Sequence, residues 1–168
     1  MTLTMRKALS LDDYLAMSLD QECELVAGEL RPKPTGTFHH SDVQLALAVM
    51  LYRVFGRART KVEFSIRRGE EVLIPDVCVL RPGTPKLYRQ VLDESPLLFV
   101  EIVSPSQRPG ELFVKCEMYH EWGVEYCWVI DPVSKRAWNY HAGMGGAEET
   151  RDLLTGPADI PLAGILAE

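Results

Sequence analysis

The chain has 168 residues, of which 46% are hydrophobic and 25% charged, with a formal net charge of −6. That size and balance describe one ordinary globular domain with a core of its own and argue against a protein that coats nucleic acid. The longest apolar runs, LLFV and ALAVML, fall far short of the roughly 20 residues of a membrane span. Asp12 and Asp13 break the N-terminal stretch too early for a secretory leader, so the expected location is cytoplasmic with no membrane partner.

In chain order, Ser10 before LDDYLAM predicts a short capped helix. ECELVAGELRP reads as a strand, a turn near Gly28 and further extended chain closed by Pro32 and Pro34. The turn cluster KPTGT leads into HHSDVQLALAVMLYRVF, where Ser41 and Gln44 make a capping-box pattern. Apolar residues at 43, 47, 50, 51 and 54 keep helical spacing, and Gly56 is the expected stop. Residues 53–68 hold six basic side chains and one acid, a local balance of +5 that leaves −11 on the rest. This strip is either a phosphate-binding surface or a helix C-terminus followed by a solvated strand face.

KVEFSI then alternates, RRGEE turns, and VLIPDVCVL forms a mostly apolar run. Residues 84–96 read as irregular or partly helical. LLFVEIV is a strand ended by Ser104-Pro105-Ser106, and residues 109–122 are helical with Gly123 just beyond. EYCWVI is a further strand, Asp131-Pro132 a turn, and RAWNYH its hairpin partner. The acid-rich remainder reads as a surface loop and short tail. Together these elements predict a mixed α/β fold over residues 1–168, with its core at about 10–140 and a C-terminal hairpin and tail at 131–168. Cys23, Cys78, Cys116 and Cys127 lack the close spacing of a zinc site and are expected as reduced thiols, several in the core.

Glu101 is the awkward residue, because it lies inside LLFVEIV, a run otherwise fit for burial. A buried ionised carboxylate must pair, shift its pKa or bind a cation. Strand alternation puts Leu97, Phe99, Glu101 and Val103 on one face, and Ile74, Asp76, Cys78 and Leu80 on one face of the other apolar run. On neighbouring strands the two carboxylates converge, and such an oxygen-only pair suits Mg²⁺ or Mn²⁺. In the following helix Leu112, Cys116, Tyr119 and Gly123 form the buried stripe, with Lys115 at its boundary and able to reach back toward the acids. Two carboxylates and a lysine meet the needs of phosphodiester hydrolysis. The structural alternative has Asp76 capping a turn, Glu101 paired with a buried arginine, and Lys115 bridging Glu111.

IPDVCVL, LLFVEIVSPS and ELFVKCEMYHEWGVEYCWVIDP, in this order and spacing, resemble the Uma-type family of nucleases with the restriction-endonuclease-like PD-(D/E)XK fold. The resemblance runs from about residue 10 to 140 and implies a central mixed sheet flanked by helices. It matches Pro75-Asp76 to the PD element, Glu101 to the second acid and Lys115 to a lysine carried on the following helix, since Val103 stands at the usual position. Glu24 in CELVAGEL matches the first-strand acid, and His40 the histidine at a helix start. Glu111 stands where the family usually has Asp, and Ala27 where it usually has an acid.

The resemblance implies an endonuclease with Mg²⁺ or Mn²⁺ at Asp76, Glu101 and Ile102, Lys115 positioning water and phosphate, and Glu24 and His40 assisting. The expected substrate is DNA and the expected assembly a homodimer. The alternative is an idle module of the same fold acting in nucleic-acid or protein binding. His39, Ser104 and Ser106 need no functional role, Trp122, Tyr126 and Trp128 read as core, and no nucleophile-elbow motif supports a triad of Ser104, Asp131 and His141.

Overall fold

The computed structural model describes residues 8–86, 91–141 and 146–166. The expectations for residues 1–7, and part of that for 84–96, lie outside these segments.

Helix α1 (Leu11–Ala16) starts at Ser10, whose hydroxyl accepts from the Asp13 N–H while the Asp13 carboxylate accepts from the Ser10 N–H. Strands β1 (Cys23–Val26) and β2 (Glu29–Pro32) pair through a two-residue turn with Ala27 at φ 52° and Gly28 at φ 76°. Two positive φ values in succession are the type I′ geometry that matches strand twist. A Cβ at position 28 would also meet the Ala8 Cβ at 2.6 Å, so glycine there answers two constraints.

Helix α2 (Phe38–Phe55) begins earlier than its capping pattern suggests. Thr37, not Ser41, is the N-cap, and its hydroxyl accepts from the His40 N–H. Both residue types cap well, and no breaker separates Thr37 from His40, so the helix extends back to the earlier one. Gln44 serves elsewhere, donating to the Asp76 carbonyl at 3.0 Å.

KVEFSI and VLIPDVCVL, expected as one strand each, are both broken. The first divides at Glu63 (φ 47°) into β3 (Thr60–Val62) and β4 (Ile66–Arg68). The second divides at Ile74-Pro75-Asp76 into β5 (Glu71–Leu73) and β6 (Val77–Val79), because Pro75 has no N–H to continue a ladder. The result is a bent hairpin shared by two sheets: β4 and β5 complete a sheet ordered β2-β1-β5-β4, while β3 and β6 enter the central one.

The central sheet also contains β7 (Leu98–Ile102), β8 (Tyr126–Asp131), β9 (Arg136–His141) and β10 (Ala147–Thr150), in the order β10-β9-β8-β7-β6-β3. β7 and β8 are parallel and joined by helix α3 (Pro109–Trp122); the other neighbours are antiparallel, which makes the sheet mixed. Gly123 ends α3 at φ 104°, a left-handed position that favours glycine. Alternation along β7 separates two layers. Leu98, Val100 and Ile102 pack with Val43, Leu47 and Leu51 of α2, whereas Phe99 and Val103 pack with Leu112, Cys116 and Tyr119 of α3. Trp128 is fully buried on the α2 side, with Tyr126 against that cluster and Trp122 against the other. All four cysteines are buried and unpaired. No helix among the described residues is long and apolar enough to cross a membrane.

The C-terminal stretch departs from the expected loop and tail. Beyond β10 it forms a small pair, β11 (Leu153–Leu154) and β12 (Ile160–Pro161), then a 3₁₀ turn, Leu162–Gly164. Leu154, Ile160, Leu162 and Ile165 are buried in the α2-side layer. Glu148, Glu149, Asp152 and Asp159 hide this pattern in the sequence, because strands this short give no readable period. Leu154→Ala should therefore lower the unfolding free energy in urea melts by about 2–5 kcal/mol, as a core leucine does, where a loose tail would give no change.

Candidate functional site

Val77 lies opposite Val100 in the β6–β7 ladder, so Asp76, one residue earlier, falls beside Glu101. The Ile102 N–H closes this crossing, donating to Asp76 Oδ2 at 2.7 Å. Phe99, Glu101 and Val103 share the α3 face, and one turn along α3 sets Lys115 and Tyr119 against it. Lys115 Nζ lies 2.8 Å from Glu101 Oε1 and 2.9 Å from Glu24 Oε1. Tyr119 donates to the same Glu101 oxygen at 2.5 Å, and the Ile74 N–H donates to Glu24 Oε1 at 2.7 Å. His40, at the start of α2, reaches Asp76 Oδ2 with Nε2 at 3.3 Å.

Glu24, Asp76, Glu101 and Lys115 line one cavity of about 290 Å³ between the β1–β2 hairpin, the ends of β6 and β7, and α3. His40 meets the group from behind, through Asp76. Ile102 takes part through its N–H. The buried arginine offered as an alternative partner for Glu101 is replaced by Lys115, and Glu111 lines the cavity rather than holding that lysine.

Sequence reasoning missed Lys33. Its ammonium lies 2.9 Å from Asp76 Oδ1 and donates to the Ile74 carbonyl at 2.7 Å. Nothing marks it in the sequence, where it is one lysine between two prolines of a turn. Its placement depends on Lys33 N–H bonding the Glu22 carbonyl and Gln21 bonding the Lys33 carbonyl, which fix that turn beside the cavity. The basic strip at 53–68 is partly engaged within the chain. None of its residues lines the cavity, and Arg53 closes the last turn of α2. Arg59 bonds the Leu80 carbonyl, Lys61 the Arg57 carbonyl, and Arg68 pairs with Glu71.

The electrostatics follow from crowding charge in a buried place. Burial alone would raise the Asp76 carboxyl, but the His40 hydrogen bond and the Lys33 charge outweigh it and hold the group well below the usual carboxylate range. Glu101 is pushed up, by burial first and then by Asp76 and Glu24, against the opposing charge of Lys115. Burial lowers Lys115, yet Glu101 and Glu24 overcome this and keep it a cation. Lys33 is raised in the same way by Asp76 and Glu101.

Glu24, Asp76 and Glu101 thus face the ammonium groups of Lys33 and Lys115, with Arg31 and Glu111 also on the cavity wall. Among the described residues no three His, Cys, Asp or Glu side chains form a ready metal cage. The donor chemistry still fits a hard divalent ion of the magnesium type, which needs one or two carboxylates and keeps several waters. Lys33 would have to yield Asp76 Oδ1 to it.

Residues 11–166 match the family described as "Uma2: Putative restriction endonuclease". Among solved structures the chain is similar to "a putative nuclease belonging to DUF820" from Anabaena variabilis ATCC 29413. The TM-score is 0.82 at 19% sequence identity, over 95% of this chain and 98% of that one. No curated protein matches the chain.

Two titration outcomes follow from this charge arrangement. The stability that Asp76 contributes is fully present above its ordinary value of 3.8 and drains as pH falls below it, so Asp76→Asn should flatten the acid limb of stability between about pH 4 and pH 2 in urea melts. Lys115→Met leaves Glu24 and Glu101 unpaired in the cavity and should cost about 3–5 kcal/mol at neutral pH. An acid whose pKa is raised by folding destabilises the fold only while ionised. That deficit should therefore shrink as the pH falls and Glu101 takes up a proton, which the same melts would report.

Proposed function

The chain belongs to the Uma2 family, and from that premise we propose that it is a metal-dependent endonuclease hydrolysing phosphodiester bonds in DNA at the cavity beside Lys115. The observation that carries this reading is one lysine ammonium within 2.8 Å of Glu101, with Asp76 in the break just before the adjoining strand and all three on one cavity wall. A divalent ion, Mg²⁺ or Mn²⁺, would be held by the Asp76 and Glu101 carboxylates and the Ile102 carbonyl oxygen with water, and would supply an activated water and neutralise phosphate charge.

The chain's own groups do the rest. Asp76 stays ionised at working pH because His40 and Lys33 hold it so, which keeps it a charged ligand. Lys115 remains a cation and reaches into the cavity, where it orients the attacking water and offsets the charge gained by the phosphoryl oxygens. Glu24 steadies that lysine together with Glu101. His40 acts as an assisting residue by fixing the Asp76 carboxylate; its Nδ1 is buried without a hydrogen-bond partner among the described residues. Arg31 and Lys33 on the wall supply the local positive charge that a nucleic-acid backbone meets. Cutting both strands takes two such cavities, which is the argument by analogy for a homodimer.

One observation favours the alternative of a catalytically idle module. Both Asp76 oxygens and Glu101 Oε1 are already engaged by protein donors, a closed network that a purely structural site would also have. Incubating single- and double-stranded DNA and RNA with Mg²⁺ or Mn²⁺ separates the two. Wild type should cleave DNA, and Asp76→Ala and Lys115→Ala should each lose at least about 10²-fold in rate. Cleavage that survives both substitutions belongs to another site or a contaminant. Mn²⁺ should also raise the melting temperature of wild type and leave that of Glu101→Ala unchanged.

A further inference from the structure

Helix α2 is apolar on two opposite sides. At about 100° per residue, Val43, Leu47 and Leu51 form the stripe buried against the central sheet. Phe38, Leu45, Val49 and Tyr52 follow one another at intervals of seven, four and three, and so occupy a single stripe on the outer side. These four are 81%, 65%, 40% and 52% exposed. A helix with one buried face carries polar residues opposite it, and a helix apolar all round belongs between two partners. The described chain provides one of them.

Charge on the same outer face names the second. Asp42 and Arg53 are both exposed, lie within about 20° of each other around the helix axis, and flank Leu45 and Val49. We propose that a second copy of this chain docks on this stripe, with the two α2 helices antiparallel about a two-fold axis. Antiparallel pairing centred near residues 47–48 sets Leu45 of one copy against Val49 of the partner copy and Asp42 against Arg53, each contact occurring twice. Parallel pairing would set Asp42 against Asp42 and Arg53 against Arg53, which repel. A two-fold contact of this kind closes on itself and stops at two chains. No residue of α2 lines the cavity, so both cavities stay open in the pair. The inference stands on α2 and names the face through which the homodimer of the nuclease reading would form; a monomeric wild type removes that dimer, while the cleavage assay tests the cavity chemistry separately.

Sedimentation of the full chain over a range of concentrations tests it. Wild type should approach twice the mass of one chain as concentration rises. Leu45→Glu should stay at the mass of one chain and melt at the temperature that wild type shows when too dilute to pair, since that side chain is exposed in the single chain. Asp42→Arg should weaken the dimer, and Asp42→Arg combined with Arg53→Asp should restore it. A wild type that is monomeric throughout overturns the proposal, including one whose stripe instead recruits a different protein or nucleic acid. So does a dimer that persists in Leu45→Glu. A double charge swap that fails to restore association overturns the antiparallel pairing.

Discussion

The Lys115 ammonium, held between Glu24 and Glu101, ties together three elements that are distant in sequence: the first hairpin, the central strand β7 and helix α3. It resolves the presence of an acid in the middle of a buried strand. Glu101 could not stand ionised on the α3 face without a cation and a hydroxyl to replace its lost hydration, and Lys115 and Tyr119 supply both. The same contact prevents Glu24 from being an isolated buried charge. A group of acids costly to bury one by one becomes tolerable because cations are interleaved with them.

Asp76 owes its position to a break rather than to a strand. Pro75 interrupts the apolar run, and the chain crosses there from the small sheet to the central one. This leaves Asp76 at the seam, where five donors reach it: Lys33, His40 and the Ile102 N–H at its carboxylate, and Gln44 and the Glu63 N–H at its carbonyl. The bend therefore makes the candidate site, and the two sheets meet where the chemistry is concentrated.

The two layers on the central sheet divide the work. The α3 side carries Lys115, Tyr119 and the cavity wall, so its packing and its charge arrangement cannot be separated. The α2 side is mainly apolar and is sealed by the C-terminal segment, which Asn139 and the Trp128 indole N–H tie down through Thr155. From α2, His40 reaches the Asp76 carboxylate and Gln44 its carbonyl, near the helix start where the sheet ends.

Local pattern was enough for much of this. The capping box at Ser10, the turn at Gly28, helix α3 from Pro109 to Gly123 and the β8–β9 hairpin are each set by residues within a few positions of one another, and the sequence displays them directly. The alternation that puts Glu101 on the α3 face, and the helical angle that leaves Lys115 at the edge of its stripe, are equally local. Asp76, Glu101, Lys115, Glu24 and His40 were therefore legible as candidates, with a family resemblance supplying the two that spacing alone did not single out. Contacts across long separations decided the rest. Lys33 meets Asp76 from 43 positions away, a distance over which no periodicity carries information. Ser41 matched the capping pattern, but Thr37 reached the helix first. The strands over 60–80 were divided between two sheets because a strand's partners, not its composition, determine which ladder it joins. The acid-rich C-terminus became core because its few apolar side chains found an uncovered flank of the sheet. Residue types and short spacings settle which groups are available; which of them meet is settled only when the folded chain closes space between segments that the sequence keeps apart.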